Sequence, residues 1–134
     1  AALAQDNTDN SRKDNIEHLA NMERLNGDLD TALCTIDALI QEAPGRFSAY
    51  TTKANILLGS QARESAKSAF LKAIELGDER NYTYRQLSNL LHRQKVFDEA
   101  LVYARKAALA QDNTESSRKD NTMHLERMIQ LNGP

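Results

Sequence analysis

The chain has 134 residues, with 17 Lys and Arg against 19 Asp and Glu for a formal charge of −2, a balance that gives no chain-wide attraction to nucleic acid. A single cysteine, Cys34, excludes an internal disulfide and any multi-cysteine metal site, and the apolar runs are too short to span a bilayer. Two prolines, five glycines and an abundance of Ala, Leu, Gln, Glu, Lys and Arg point to an all-α chain; the expected compartment is the cytoplasm, although the missing initial methionine is equally compatible with a removed leader or a membrane-anchored parent.

Ala32, Ala66 and Ala100 stand 34 residues apart, and Asn21, Asn55 and Asn89 keep the same interval 11 residues earlier. A unit of this length holds two helices and cannot bury its apolar side alone, so such units stack. Setting units by the alanines gives one domain over 1–134: residues 1–12 as the remnant of a preceding helix, repeats at 13–46, 47–80 and 81–114, and a C-terminal helix within 115–134.

The first repeat opens with Ile16, Leu19 and Ala20, breaks at Asn26-Gly27-Asp28, and resumes with Ala32, Ile36, Leu39 and Ile40 before Pro44-Gly45. The second carries Tyr50, Ala54 and Leu57, a break at Gly59-Ser60-Gln61, then Ala66, Phe70, Ala73 and Ile74 before Gly77-Asp78. The third carries Tyr84, Leu87 and Leu91, a break at Arg93-Gln94-Lys95, then Ala100, Ala104, Ala107 and Ala108. Steps of three and four give each segment one apolar stripe, and the small residues of the second segments predict close helix approach. The last segment, 117–131, brings Leu125, Met128, Ile129 and Leu131 as a stripe that caps the final stacking face.

These positions resemble the tetratricopeptide repeat (TPR) pattern. Tyr84, Leu87, Leu91, the run Val96-Phe97-Asp98-Glu99-Ala100-Leu101 and Ala107 fill the family's aromatic, apolar and alanine positions, and Gly27 and Pro44 its glycine and proline positions. The resemblance covers residues 13–114 and implies a right-handed solenoid of helical hairpins that binds a protein or peptide partner in a concave groove. Ile16 in place of an aromatic residue, Glu23 in place of a large apolar one and Lys53 in place of leucine depart from it and predict local loosening.

Residues 1–27 and 107–133 agree at 19 of 27 positions, an offset of 106 residues, or three units of 34 plus four. By that alignment residues 1–6 are the tail of a second helix, and residues 117–131 are a first helix without its partner. Two origins fit: a window from a longer, recently duplicated array, or a self-assembly module whose like ends exchange between molecules. In the second case the terminal helix, a near copy of 11–25, docks onto the 28–43 helix of another molecule.

The TPR resemblance implies that the ninth residue of each unit faces the groove. Here it is Asn21, Asn55 and Asn89, with Arg127 at the corresponding place in the terminal helix. An amide that both donates and accepts can clasp an extended backbone whatever its side chains; the alternative is an amide tolerated on a solvated face. Glu17 and Arg24 flank the row in the first repeat, and Tyr82, Arg85, His92 and Arg93 in the third. The third repeat is the basic end, suited to an acidic side chain or a carboxyl terminus, unless these are ordinary solvated charges. The carboxylate clamp that grips chaperone tails needs cations converging on two carboxylates. The chain offers Glu17, Asn21, Thr52, Tyr82 and Gln86 at those places, so such a tail is not the expected partner.

No catalytic residue, metal site or cofactor is expected. His18, His92 and His124 lack ligand spacing, no phosphate loop or serine elbow occurs, and Cys34 reads as a buried inert thiol.

Overall fold

A computed structural model describes the backbone of residues 2–132 and the side chains of residues 8–131. The described residues form seven α-helices and no strand. They fall into two compact units, 1–76 and 77–134.

The first unit holds α1 (Ala2–Leu25), α2 (Leu29–Glu42), α3 (Phe47–Gly59) and α4 (Arg63–Glu75). α1 packs on α2, α3 on α4, and α3 also on α1 and α2. Ala20, Ala32 and Ala49 are fully buried and let these helices approach, while Ile36, Leu39 and Ile56 fill the space between them. Phe70 on α4 is the largest fully buried side chain. Burying each of these large side chains contributes roughly 1.5–3 kcal/mol.

All three departures from the repeat pattern find a place here. Ile16 packs against the core from its edge. Glu23 accepts a 2.7 Å hydrogen bond from Thr35 on α2, and Lys53 pairs with Asp37 at 2.7 Å. At Glu23 and Lys53 polar pairing replaces the expected apolar contacts.

The second unit holds α5 (Asn81–Arg93), α6 (Phe97–Leu109) and α7 (Glu115–Asn132), with α6 packed on both α5 and α7. Leu87, Leu90, Leu91, Ala100, Ala104, Ala107 and Met128 form its core. Ser88 stands where Ala20 and Ala54 stand in the earlier repeats. Its hydroxyl donates 2.8 Å to the carbonyl of Ala100, so the polar atom is satisfied in a dry place.

Three hairpins close with the same turn. Gly27, Gln61 and Lys95 have φ of 84°, 62° and 64°, and the amide of each donates to the carbonyl three residues back, that of Arg24, Leu58 and His92. The next amide in each case reaches Glu23, Leu57 and Leu91, the paired bonds of a left-handed helix cap. Only the first carries the glycine that this φ favours.

Two expectations fail. Residues 2–25 form one helix, with no break after residue 6. In the second copy the same octapeptide, 107–114, ends α6 and turns before α7. There the turn has partners: the Asn81 amide donates 2.8 Å to Asp112, Asn113 Nδ2 donates to the carbonyls of Ala107 and Ala110 at 2.8 and 2.9 Å, and Thr114 and Ser117 cap each other's amides at 2.8 and 3.1 Å. Around Asp9 the bonds are local instead, to Arg12 at 3.1 Å and Lys13 at 2.9 Å, and such pairs prolong a helix. Second, Cys34 is exposed: it lies between the buried positions Ala32 and Ile36 on the outward side of α2.

Candidate functional site

In the first unit, the groove residues expected on α1 meet the start of α3. Arg46 directs its Nε to Glu17 at 2.6 Å and a terminal nitrogen to Asp14, and Ser48 donates to the same Glu17 oxygen at 2.6 Å. The bond to Glu17 raises the Arg46 guanidinium above its ordinary pKa. Glu17 is therefore committed within the protein and braces α1 against α3. Further along the same helices, Asn21 on α1 and Asn55 on α3 are both half-buried. Arg24 is half-buried too, and its Nε makes no hydrogen bond within the protein.

In the second unit Asn89 is half-buried on α5, while Tyr82 and Arg93 are exposed. His92 meets the edge of Phe97 with ring centroids 5.4 Å apart. Arg85 is not open: Nη1 donates 3.1 Å to Asn121 on α7, and burial pulls its guanidinium below its ordinary pKa, with Arg127 adding to the effect and Asp120 opposing it. Asn121 is 3% exposed. It also donates to Asn81 at 3.0 Å and to Asn113 at 2.9 Å, which joins α5, the turn and α7 in one network.

Beside it, His124 Nε2 lies 3.2 Å from Ser88 Oγ. Since that hydroxyl donates to Ala100, the network assigns the shared proton to His124, which acts as a neutral donor. Burial first, then Arg85, His92 and Arg127, lower its pKa to about 4. Met128 seals the same contact, with its sulfur 3.3 Å from Ser88 Oγ. One turn back along α5 from Ser88, Tyr84 stacks with Tyr103 at 6.2 Å, and Lys106 Nζ lies 5.3 Å from the Tyr103 ring centre. Desolvation raises both phenols. This corner borders an open depression of about 460 Å³ with Leu109 on its wall.

No protein-family model matches the sequence, and no curated protein matches it. Solved structures do match. The chain superposes on YrrB, described as a TPR protein with an unusual peptide-binding site, with a TM-score of 0.76 and 20% identity over 88% of this chain and 59% of YrrB. It matches the TPR2B domain of yeast Sti1, solved as a complex with pHsp70, with a TM-score of 0.78 and 19% identity over 90% and 98% of the two chains. This is a tetratricopeptide-repeat fold. PcrH, solved with the chaperone-binding region of PopD, superposes at a TM-score of 0.81 with 13% identity over 92% and 96%.

On the TPR fold, Asn21, Asn55 and Asn89 hold the same place in three first helices, α1, α3 and α5. Of the flanking residues, Glu17 and Arg85 are bound to other parts of the protein, and the side chains of Tyr82 and Arg93 are exposed. Sequence reasoning missed Asn121 and Ser88. The available signal was the identity of Asn15 and Asn121 across the 106-residue offset. It also missed Asp78, fully buried, which holds Thr83 at 2.6 Å and Arg80 at 2.9 Å. Among the described residues no cluster of ligating side chains fits a metal ion, and no helix is long and apolar enough to cross a membrane.

Proposed function

We propose that this TPR chain is a protein-interaction scaffold, a binding module and not an enzyme, that holds an extended segment of a partner polypeptide along its first helices. The observation that carries the reading is the recurrence of one half-buried amide, Asn21, Asn55 and Asn89, at one helical position of α1, α3 and α5. A half-buried carboxamide has less rotamer freedom to lose than a fully exposed one, so less ordering entropy opposes binding. Each amide can donate to a backbone carbonyl and accept from a backbone N–H.

Tyr82, His92, Arg93 and Arg24 then select side chains around that backbone, with the cations drawing an acidic group. Glu17 and Arg85 contribute by bracing the helices and not by touching the ligand. That YrrB, Sti1 and PcrH are described with peptide or protein partners supports this class of function. The acidic chaperone tail is a poor candidate here: Glu17 and Tyr82 stand where the clamp needs lysines, and Thr52 is only 7% exposed.

Selection from a displayed library of random peptides, followed by anisotropy titration, tests the reading. Enriched peptides should lose about two- to tenfold in affinity per Asn→Ala change at the three positions. No enrichment, or binding indifferent to all three asparagines, would refute it.

A further inference from the structure

α1 and α7 are near copies that bury opposite sides. Between Glu115 and Leu131 five side chains of α7 are buried or half-buried: Ser117, Asn121, His124, Leu125 and Met128. All five recur 106 residues earlier as Ser11, Asn15, His18, Leu19 and Met22, and all five are exposed on α1, Leu19 at 52% and Met22 at 51%. The eight positions at which the copies differ are all exposed on α7. Six of those eight are buried or half-buried on α1, where Ile16, Ala20 and their neighbours pack within the first unit.

The copies have diverged where α7 is bare and agree wherever α7 touches α5 and α6. α1 thus carries a second, unused face identical to the one that covers the α5–α6 hairpin. Its complement is the surface that α7 covers: Asn81, Arg85 and Asn113 around the amide, and Ser88 against the imidazole and the methionine sulfur.

We propose that the outward face of α1 docks on the α5–α6 hairpin of a second copy of this chain, taking the place of that copy's α7. Asn15 enters the amide network, His18 and Met22 meet Ser88 of the second copy, and Leu19 fills the position of Leu125. The contact is head-to-tail, so it propagates to a third copy and beyond. α7 is then an internal cap. Tethered a few residues from its surface, it competes at an effective concentration on the order of 1 mM, and the intact chain stays monomeric when dilute.

The reverse docking, α7 onto the α2 of another copy, is disfavoured: Glu126 stands on α7 where fully buried Ala20 packs on α1, and a carboxylate there would be buried without a partner.

Sedimentation of the full chain over a dilution series tests this with four proteins: the parent, Leu125→Glu/Met128→Glu to lift α7, Leu19→Glu/Met22→Glu to spoil the α1 face, and all four changes together. The parent should sediment at 15.0 kDa when dilute. Lifting α7 should produce a concentration-dependent ladder at least tenfold below the concentration at which the parent associates, and the α1 changes should restore the monomer. Circular dichroism checks folding, and Asn121→Ala is the milder release if the double variant unfolds. A ladder indifferent to the α1 changes would mean nonspecific sticking and would overturn the proposal. So would a 15.0 kDa species whose α7 is readily clipped by protease.

Discussion

α1 and α7 present nearly the same sequence to different surroundings, and the surroundings choose the buried face. In the first unit the α2 and α3 surface has an aliphatic centre that takes Ile16 and Ala20, with Thr35, Arg46 and Ser48 at its edge holding Glu23 and Glu17. In the second the α5–α6 surface carries Ser88, Arg85 and Asn81, and it takes Asn121, His124 and Met128. The lesson is that amphipathicity fixes that a helix packs, while the shape and polarity of the receiving surface fix which residues it packs with.

The largest effect should come from exchanging the residues that separate the two. Ala20→Glu places on α1 the residue that α7 carries, burying a carboxylate in an apolar site, and should cost about 3–5 kcal/mol in urea unfolding. The mirror change, Glu126→Ala, should stay within about 0.5 kcal/mol. Equal effects would break the comparison.

Next comes the amide. Asn121→Ala strips partners from Asn81, Arg85 and Asn113 and should cost about 1–3 kcal/mol. Its exposed twin, Asn15→Ala, should cost less than about 0.5 kcal/mol.

The histidines separate the helices by pH. His124 has a folded pKa of about 4, below its ordinary 6.5, so the native state holds fewer protons than the unfolded one in between. Stability is therefore full above 6.5 and falls as the pH drops towards 4. Amide protection factors on α7 should fall across that window, with Arg85, His92 and Arg127 opposing the new charge from the elements around it. His124→Gln should flatten the profile, and His18→Gln should leave it intact.

The smallest effect compares the hairpin turns. Gln61→Gly and Lys95→Gly should each add about 0.5–1 kcal/mol by relieving a left-handed backbone, whereas Gly27→Ala should lose about 1 kcal/mol. Thermal midpoints of the three variants check the order.

The repeat interval, the all-α class and the TPR fold were legible because burial of Ala32, Ala66 and Ala100 is forced by close helix approach, and all three are fully buried. The turns were legible from Gly27 and its neighbours. What the sequence hid depends on tertiary partners. The octapeptide at 107–114 turns because Asn81 and Asn121 hold it, and its copy continues a helix. Leu19 reads as core by spacing yet is exposed, and Leu125, Met128, Ile129 and Leu131 read as one stripe although only Leu125 and Met128 pack. Arg85 reads as a ligand contact and is held by α7. Spacing gives a face its chemistry but not its neighbour. The equivalent positions of the three asparagines in α1, α3 and α5 follow from the 34-residue interval alone.

Thiol labelling at the paired methionines tests the asymmetry most directly. In a dilute chain carrying Cys34→Ser, to remove the exposed native thiol, Met22→Cys and Met128→Cys are labelled in parallel. The Met22→Cys thiol should react near the rate of an unfolded control, and the Met128→Cys thiol more than about tenfold slower, limited by the opening of α7. Equal rates at the two sites would contradict the view that α1 and α7 use opposite faces of one repeated helix.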